Sequence, residues 1–322
     1  MDRVHICEMS PRDGLQSLGG PKAATRMIPA ARKLQLIAAL QEAGLPFIEA
    51  AAYVNPKVMP QMSDAEAVAA GIRARPGCEL AALVPNLKHY ERFRASRFDT
   101  AAVFVSASEE YSQRNMGVSL DVAMGWAVEV CAAARADKRG LRAHLSGAFQ
   151  DVITGAPADV ATVARVTGAL LEAGCECVAL ADTNGETHPR LVRDVLRSLT
   201  REVDIRRLAI HLHDRCGAAL ANALAALDEG VRIFDAAVGG IGGSSNAVSG
   251  GRPTAGNIAT EELVDMLERM GVSTGIDRDA LTAAGRIVWE ITRETRDPAP
   301  PSRLLREQLG YRLAWVEPGV AG

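Results

Sequence analysis

The chain has 322 residues, 48% of them apolar, a formal net charge of −3 and a pI near 6.1. That length suits one large domain or two small ones, with a substantial core. It carries no basic excess to hold nucleic acid or an anionic membrane surface, and aromatics at 4% are too sparse for base-stacking platforms.

The N-terminal stretch MDRVHICEM lacks a basic region followed by an apolar one, and no apolar run nears the ~18 residues of a membrane span. Six cysteines, at 7, 78, 131, 175, 177 and 216, have neither disulfide nor zinc spacing and read as reduced thiols. The expectation is a soluble, cytoplasmic protein with no nucleic-acid or membrane partner.

Short apolar runs then alternate with longer amphipathic ones. The predicted strands are RVHICEM (3–9), FIEAA (47–51), ELAALVP (79–85), TAAVFVS (100–106), LRAHLSG (141–147), CVALAD (177–182), LAIHLHD (208–214) and IFDAAVG (233–239). They lack polar/apolar alternation, as expected of parallel strands covered on both faces. Helical patterns lie between them at 30–43, 159–174 and 219–230, each ending in EAG or DEG, and a last one at 260–271. This cadence marks βα units. Eight such units fit a (β/α)8 TIM barrel, an α/β fold of usually ~250 residues. An open doubly wound sheet is the alternative, but the G-x-G-x-x-G turn expected after its first strand is missing. The barrel should occupy residues 1–275. Residues 276–322, with the pattern RDALTAAGRIVWEITRE and the Pro-rich DPAPPSR, should form a C-terminal helical extension packed on it.

A barrel concentrates its chemistry at the C-terminal strand ends. Those ends present Arg12 and Asp13 after strand 1, Glu49 on strand 2, Asp182 and Thr183 after strand 6, and His211, His213 and Asp214 on strand 7. A glycine-rich stretch after strand 8, residues 239–257, ends in Asn257. His211 and His213 are two apart, so both point to one side of their strand. Closure makes strands 7, 8, 1 and 2 neighbours and gathers the two histidines with Asn257, Asp13 and Glu49. Two imidazoles, a carboxylate and an amide oxygen, without thiolate, suit an octahedral Mg²⁺ or Mn²⁺ better than zinc.

Arg12 would place a fixed positive charge beside such a metal, to stabilise an enolate, or would be a structural ion pair. Glu49 would orient Arg12 or act as a base. Asp182 and Thr183 read equally as substrate neighbours or as a strand-end turn. Asp214 lies opposite the histidines and caps the following helix. Residues 239–257 are long enough for a lid or a phosphate-cradling loop.

The chain resembles the 3-hydroxy-3-methylglutaryl-CoA (HMG-CoA) lyases, within the wider group of metal-dependent barrel lyases and Claisen condensing enzymes. The resemblance runs over residues 4–275 and rests on PRDGLQ (11–16), AGLPFIEAAAYVNPKVMPQMSD (43–64), LVPNLK (83–88), LADTNG (180–185), HLHDRCGAALAN (211–222) and GNIATEELVDMLE (256–268). It implies Asp13, His211, His213 and Asn257 as metal ligands, Arg12 as the enolate-stabilising arginine, Glu49 as its acidic partner and Asp182 close to substrate. It further implies retro-Claisen cleavage of a CoA thioester, with acetyl-CoA as a product and a homo-oligomeric assembly, dimer or tetramer. Lys57, Lys88 and Arg92 are candidate CoA contacts.

Two departures stand out. GIGG is followed by Ser244, where the lyases carry a catalytic cysteine, and GAFQDVITG (147–155) replaces their CPY-x-G motif. Serine, with a far higher pKa than the ~8.5 of cysteine, is a poor replacement acid. The pattern suggests a relative acting on a different 3-hydroxyacyl-CoA, such as citramalyl-CoA or a longer 3-hydroxyglutaryl-CoA, or one with another proton donor. A condensing synthase and a non-enzymatic barrel are the competing readings.

Overall fold

Eight strands pair in parallel in sequence order and close on themselves. They are β1 His5–Glu8, β2 Phe47–Ala52, β3 Glu79–Leu83, β4 Thr100–Ser106, β5 Gly140–Ser146, β6 Cys177–Asp182, β7 Leu208–Leu212 and β8 Ile233–Ala236. Closure is made by β1 on β8, in register from His5 opposite Ile233 to Glu8 opposite Ala236. The computed structural model describes residues 3–18, 27–243, 248–249, 252–253, 255–295 and 302–310.

The helices are α1 Ala30–Glu42, α2 Ala65–Gly71, α3 Leu87–Arg94, α4 Glu109–Met116, α5 Leu120–Ala136, α6 Val160–Ala173, α7 Pro189–Leu199, α8 Ala219–Asp228, α9 Thr260–Arg269, α10 Arg278–Thr295 and α11 Arg303–Gln308. The predicted stop signals work as read: Gly44, Gly174 and Gly230 follow α1, α6 and α8 with positive φ, a conformation only glycine adopts cheaply. Most apolar strand residues are buried because helices cover the outer face while neighbouring strands fill the inner one. No single helix among the described residues is long and apolar enough to cross a membrane.

Several predicted bounds were too generous. Strand 1 pairs only over His5–Glu8, because a π-helical turn, Ser10–Gly14, begins at once. Strand 8 stops at Ala236, because Val238–Gly240 tightens into a 3₁₀ turn. The glycine-rich stretch is not featureless: Val248–Ser249 and Arg252–Pro253 form a short antiparallel ribbon. Ser244 lies outside the described residues.

α10 packs along α1, and Arg32 of α1 bonds Glu290 and Glu294 of α10 at 2.9 and 3.0 Å. Leu305 of α11 is buried against Gly285 of α10.

Candidate metal and acyl-CoA site

The barrel mouth holds a cavity of about 350 Å³, and Arg12, Asp13, His211, His213, His144 and Thr183 are among its lining. Arg12 and Asp13 come from the π-helical turn after β1. Such wide turns are frequent at functional sites, and here both adjacent side chains reach the mouth. His211 ends within β7, and His213 lies just beyond it. The chain returning from the glycine-rich stretch pairs there, with Asn257 opposite His213 and the Ile258 N–H on the Leu212 carbonyl at 2.8 Å. Gly242, at φ 111°, allows this close approach, since a Cβ there would sit 2.9 Å from the Asp13 carbonyl oxygen.

One ligand atom each from Asp13, His211 and His213 fall within 4.8 Å of one another. The ring protons can be assigned from their partners. His211 Nδ1 donates to Asp235 Oδ2 at 3.1 Å, and His213 Nδ1 donates to the Thr183 carbonyl at 3.0 Å. With a neutral ring, each Nε2 then carries a bare lone pair, and the two Nε2 atoms face each other at 3.4 Å. Asn257 donates from Nδ2 to Asp13 Oδ2 at 2.7 Å, while its buried Oδ1 has no hydrogen-bond partner among the described residues. Two facing lone pairs, a carboxylate and an orphaned amide oxygen fit a hard or borderline divalent cation.

The electrostatics agree. Burial pushes the Asp13 carboxyl up, but Arg12 and His213 outweigh it and hold it well below the usual carboxylate range. Burial lowers His211, keeping it neutral; for His213 the Asp13 carboxylate wins over burial and raises it. A cation would take the place of that His213 proton.

Arg12 donates from Nε to Glu49 and from Nη1 to Asp13 Oδ1 at 2.6 Å. The other Glu49 oxygen accepts from His144 Nε2 at 2.7 Å. Burial raises Glu49, yet Arg12 and His144 bring it down to about 2. A carboxyl so committed is placed to orient Arg12 and is a poor base. Asp182 closes the turn that follows β6. It accepts from the Gly185, Glu186 and Thr187 N–H groups at 3.0, 3.3 and 3.1 Å and does not line the cavity. Its geometry is that of the strand-end turn. Asp214 caps α8 through the Ala219 N–H at 3.1 Å. Residues 147–155 fold back on Asp151, whose Oδ1 accepts from Thr154 N at 2.7 Å, and none of them lines the cavity.

Sequence reasoning missed Arg142, His144 and Asp235, which fill the barrel interior beneath the site. Arg142 bonds Asp235 and donates to Cys7 Sγ at 2.8 Å. The signal was present: Arg142 and His144 are two apart in β5, the same pattern that singled out HLH.

The HMGL-like family pattern matches residues 3–288, reaching into α10. The chain is 38% identical to a mitochondrial hydroxymethylglutaryl-CoA lyase of Rattus norvegicus over 91% of this chain and 87% of that one. It is 37% identical to a 3-hydroxy-3-isohexenylglutaryl-CoA/hydroxymethylglutaryl-CoA lyase of Pseudomonas aeruginosa, over 94% and 97%. A solved HMG-CoA lyase from Acinetobacter baumannii, in complex with coenzyme A and 3-methylmalate, superposes with a TM-score of 0.86 at 30% identity, covering 99% and 98%. The resemblance read from the motifs thus holds over the whole barrel, and the chain belongs to the HMGL-like family of carbon–carbon lyases.

Proposed function

We propose that this protein cleaves a 3-hydroxyacyl-CoA such as HMG-CoA to acetyl-CoA and a keto acid, with Mg²⁺ or Mn²⁺ held by Asp13, His211, His213 and Asn257. The observation that carries the ligand set is the orphaned Asn257 Oδ1 beside two imidazoles whose Nδ1 atoms are already committed. When bound, the cation polarises the substrate hydroxyl and acyl oxygen and lowers the hydroxyl pKa.

The chain's own groups supply the rest. The substrate hydroxyl loses its proton, the C2–C3 bond breaks, C3 becomes a ketone, and the electron pair stays on C2 as the acetyl-CoA enolate. Arg12 meets that negative charge. Its Nε and Nη1 are tied to Glu49 and Asp13, while its second Nη group has no acceptor among the described residues. A guanidinium clamped in this way is oriented before the charge develops. Thr183 fixes the tautomer of His213, and Asp235 that of His211. Ser244 stands where the resemblance expects the acid that protonates C2.

We further propose a cytosolic location, where all six free cysteines stay reduced, and a homodimer or homotetramer, checked by light scattering. The test of the activity is an assay of the purified protein with Mg²⁺ or Mn²⁺ against a panel of 3-hydroxyacyl-CoA thioesters, with products followed by mass spectrometry. Acetyl-CoA release is expected; its absence from every thioester sinks the reading.

A further inference from the structure

Both backbone groups of Gly239 are taken from outside the barrel. Its N–H donates to Glu261, in the first turn of α9, at 3.0 Å, and its carbonyl accepts from the Ser302 N–H at 2.9 Å. The Ser302 hydroxyl donates to the same Glu261 carboxylate and closes the clamp. That hydroxyl oxygen also caps α11, accepting from the Leu305 N–H at 3.2 Å. α11 is seated beside it: the Leu304 N–H reaches Glu262 Oε1 at 3.4 Å, and Leu305 is fully buried over Gly285 of α10, where a Cβ would overlap its Cδ1.

The inner side of the same stretch touches the site. The Ile241 carbonyl accepts from the Asn257 N–H at 3.3 Å and from Asn257 Nδ2 at 2.9 Å. The Ile241 side chain packs on Gly14, next to Asp13, so closely that a Cβ there would sit 2.8 Å from its Cγ1. The Gly240 carbonyl lies on Gly256 with no room for a Cβ between them. Gly239–Ile241 is thus a wedge, with the clamp on its outer side and two candidate ligands, Asp13 and Asn257, on its inner side. Contacts packed this closely transmit a displacement.

We propose that Ser302 is a positioning residue for the metal site, and that the docking of α11 sets where Asn257 and Asp13 stand. This rests on the ligand assignment above. Ser302 touches neither the cavity nor a candidate ligand; it acts through Gly239 and Ile241. Loss of the clamp frees the Gly239 carbonyl and lets the wedge shift. Asn257 and Asp13 then fall out of register with the two imidazoles, which are held independently by Asp235 and the Thr183 carbonyl. The cation site is weakened while the barrel stays folded.

The test is calorimetric titration of Mn²⁺ into the metal-free, full-length protein, with circular dichroism reporting that each variant is folded. Ser302→Ala should raise the Kd for Mn²⁺ about tenfold, the lower end of what groups supporting metal ligands carry. Ser302→Thr keeps the hydroxyl and should return the Kd to within about twofold of the parent. Leu305→Asp puts a carboxylate into the apolar seat of α11, drives the helix off, and should weaken Mn²⁺ at least as much as Ser302→Ala. Parental Mn²⁺ affinity in both Ser302→Ala and Leu305→Asp overturns the inference and leaves the lyase reading standing. Equal losses in Ser302→Ala and Ser302→Thr overturn the role of the hydroxyl. No Mn²⁺ binding by the parent overturns the ligand assignment and this inference with it.

Discussion

Asp235 never faces the cavity, yet it holds two functional groups at once. One oxygen pairs with Arg142 and the other accepts from His211 Nδ1. Partners behind a ligating histidine typically carry 10–100-fold in metal affinity. Asp235→Asn should therefore weaken Mn²⁺ binding by roughly that factor in a calorimetric titration, while Asp13→Ala should abolish both binding and turnover. Near-normal turnover in Asp13→Ala would mean the ligand assignment is wrong. In the proposed reaction Glu49 acts through Arg12. Glu49→Gln should lower kcat on the order of 10²-fold through misplacement of the guanidinium, with Mn²⁺ affinity little changed. A kcat within twofold of the parent would remove its positioning role.

At the scale of elements, buried carboxylates tie the strand ends to the outer helices. Glu8 accepts from Ser10 N at 2.9 Å, Val238 N at 3.1 Å and Thr260 Oγ1 at 2.6 Å, joining β1, the end of β8 and α9. Glu261 does the same one layer out. It accepts from the Gly239 N–H at 3.0 Å and from Ser302, which precedes α11 and whose N–H bonds the Gly239 carbonyl at 2.9 Å. The root of the glycine-rich stretch is thus pinned by the C-terminal segment.

Burial pushes the Glu261 carboxyl up to about 7, against about 4.3 in an unfolded chain. Between those values the folded state keeps a proton that the unfolded state has lost. This contribution to stability is therefore full below the unfolded value and declines as pH rises toward 7. Thermal melts between pH 5 and 8 should show stability falling with pH through this group, and Glu261→Gln should flatten that slope. An unchanged slope in the variant would mean another group titrates there.

At the scale of the molecule, the barrel interior is layered. Cys7, Phe47 and Ala81 form an apolar patch near the bottom, with the Arg142 guanidinium 5.0 Å above the Phe47 ring. Above lie Arg142, Asp235, His144, Glu49 and Arg12, all buried. Charges this deep are tolerated only as a matched set. Arg142→Ala leaves Asp235 facing only the imidazoles of His211 and His144 and should cost about 3–5 kcal/mol in urea unfolding. Adding Asp235→Leu to Arg142→Ala should recover part of that loss, because no uncompensated charge then remains. Strictly additive losses would refute the pairing as the cause.

The barrel, its strand order and the place of its chemistry were legible because they follow from local signals. Both-face burial writes unbroken apolar runs, glycine stops each helix, and side chains two apart on a strand share a face. Those rules brought His211 and His213 together, and closure added Asp13 and Asn257. What each carboxylate does was not legible. Glu49, Asp182 and Asp235 are all acids on barrel strands. Glu49 and Asp235 became an orienting group and a histidine partner through contacts 24 to 95 positions away, whereas Asp182 is held by N–H groups three to five residues on. Arg142 and His144 carried the same spacing as the HLH pair, but a lone strand gives no hint of which opposite charges will face it. The wall of the cavity escaped for the same reason: Val54, Phe104 and Trp126 look like ordinary core residues until a loop, β4 and α5 bring them to one wall. Periodicity is a property of the local chain, whereas the partner of a charge and the shape of a pocket are set by residues that only tertiary folding makes neighbours.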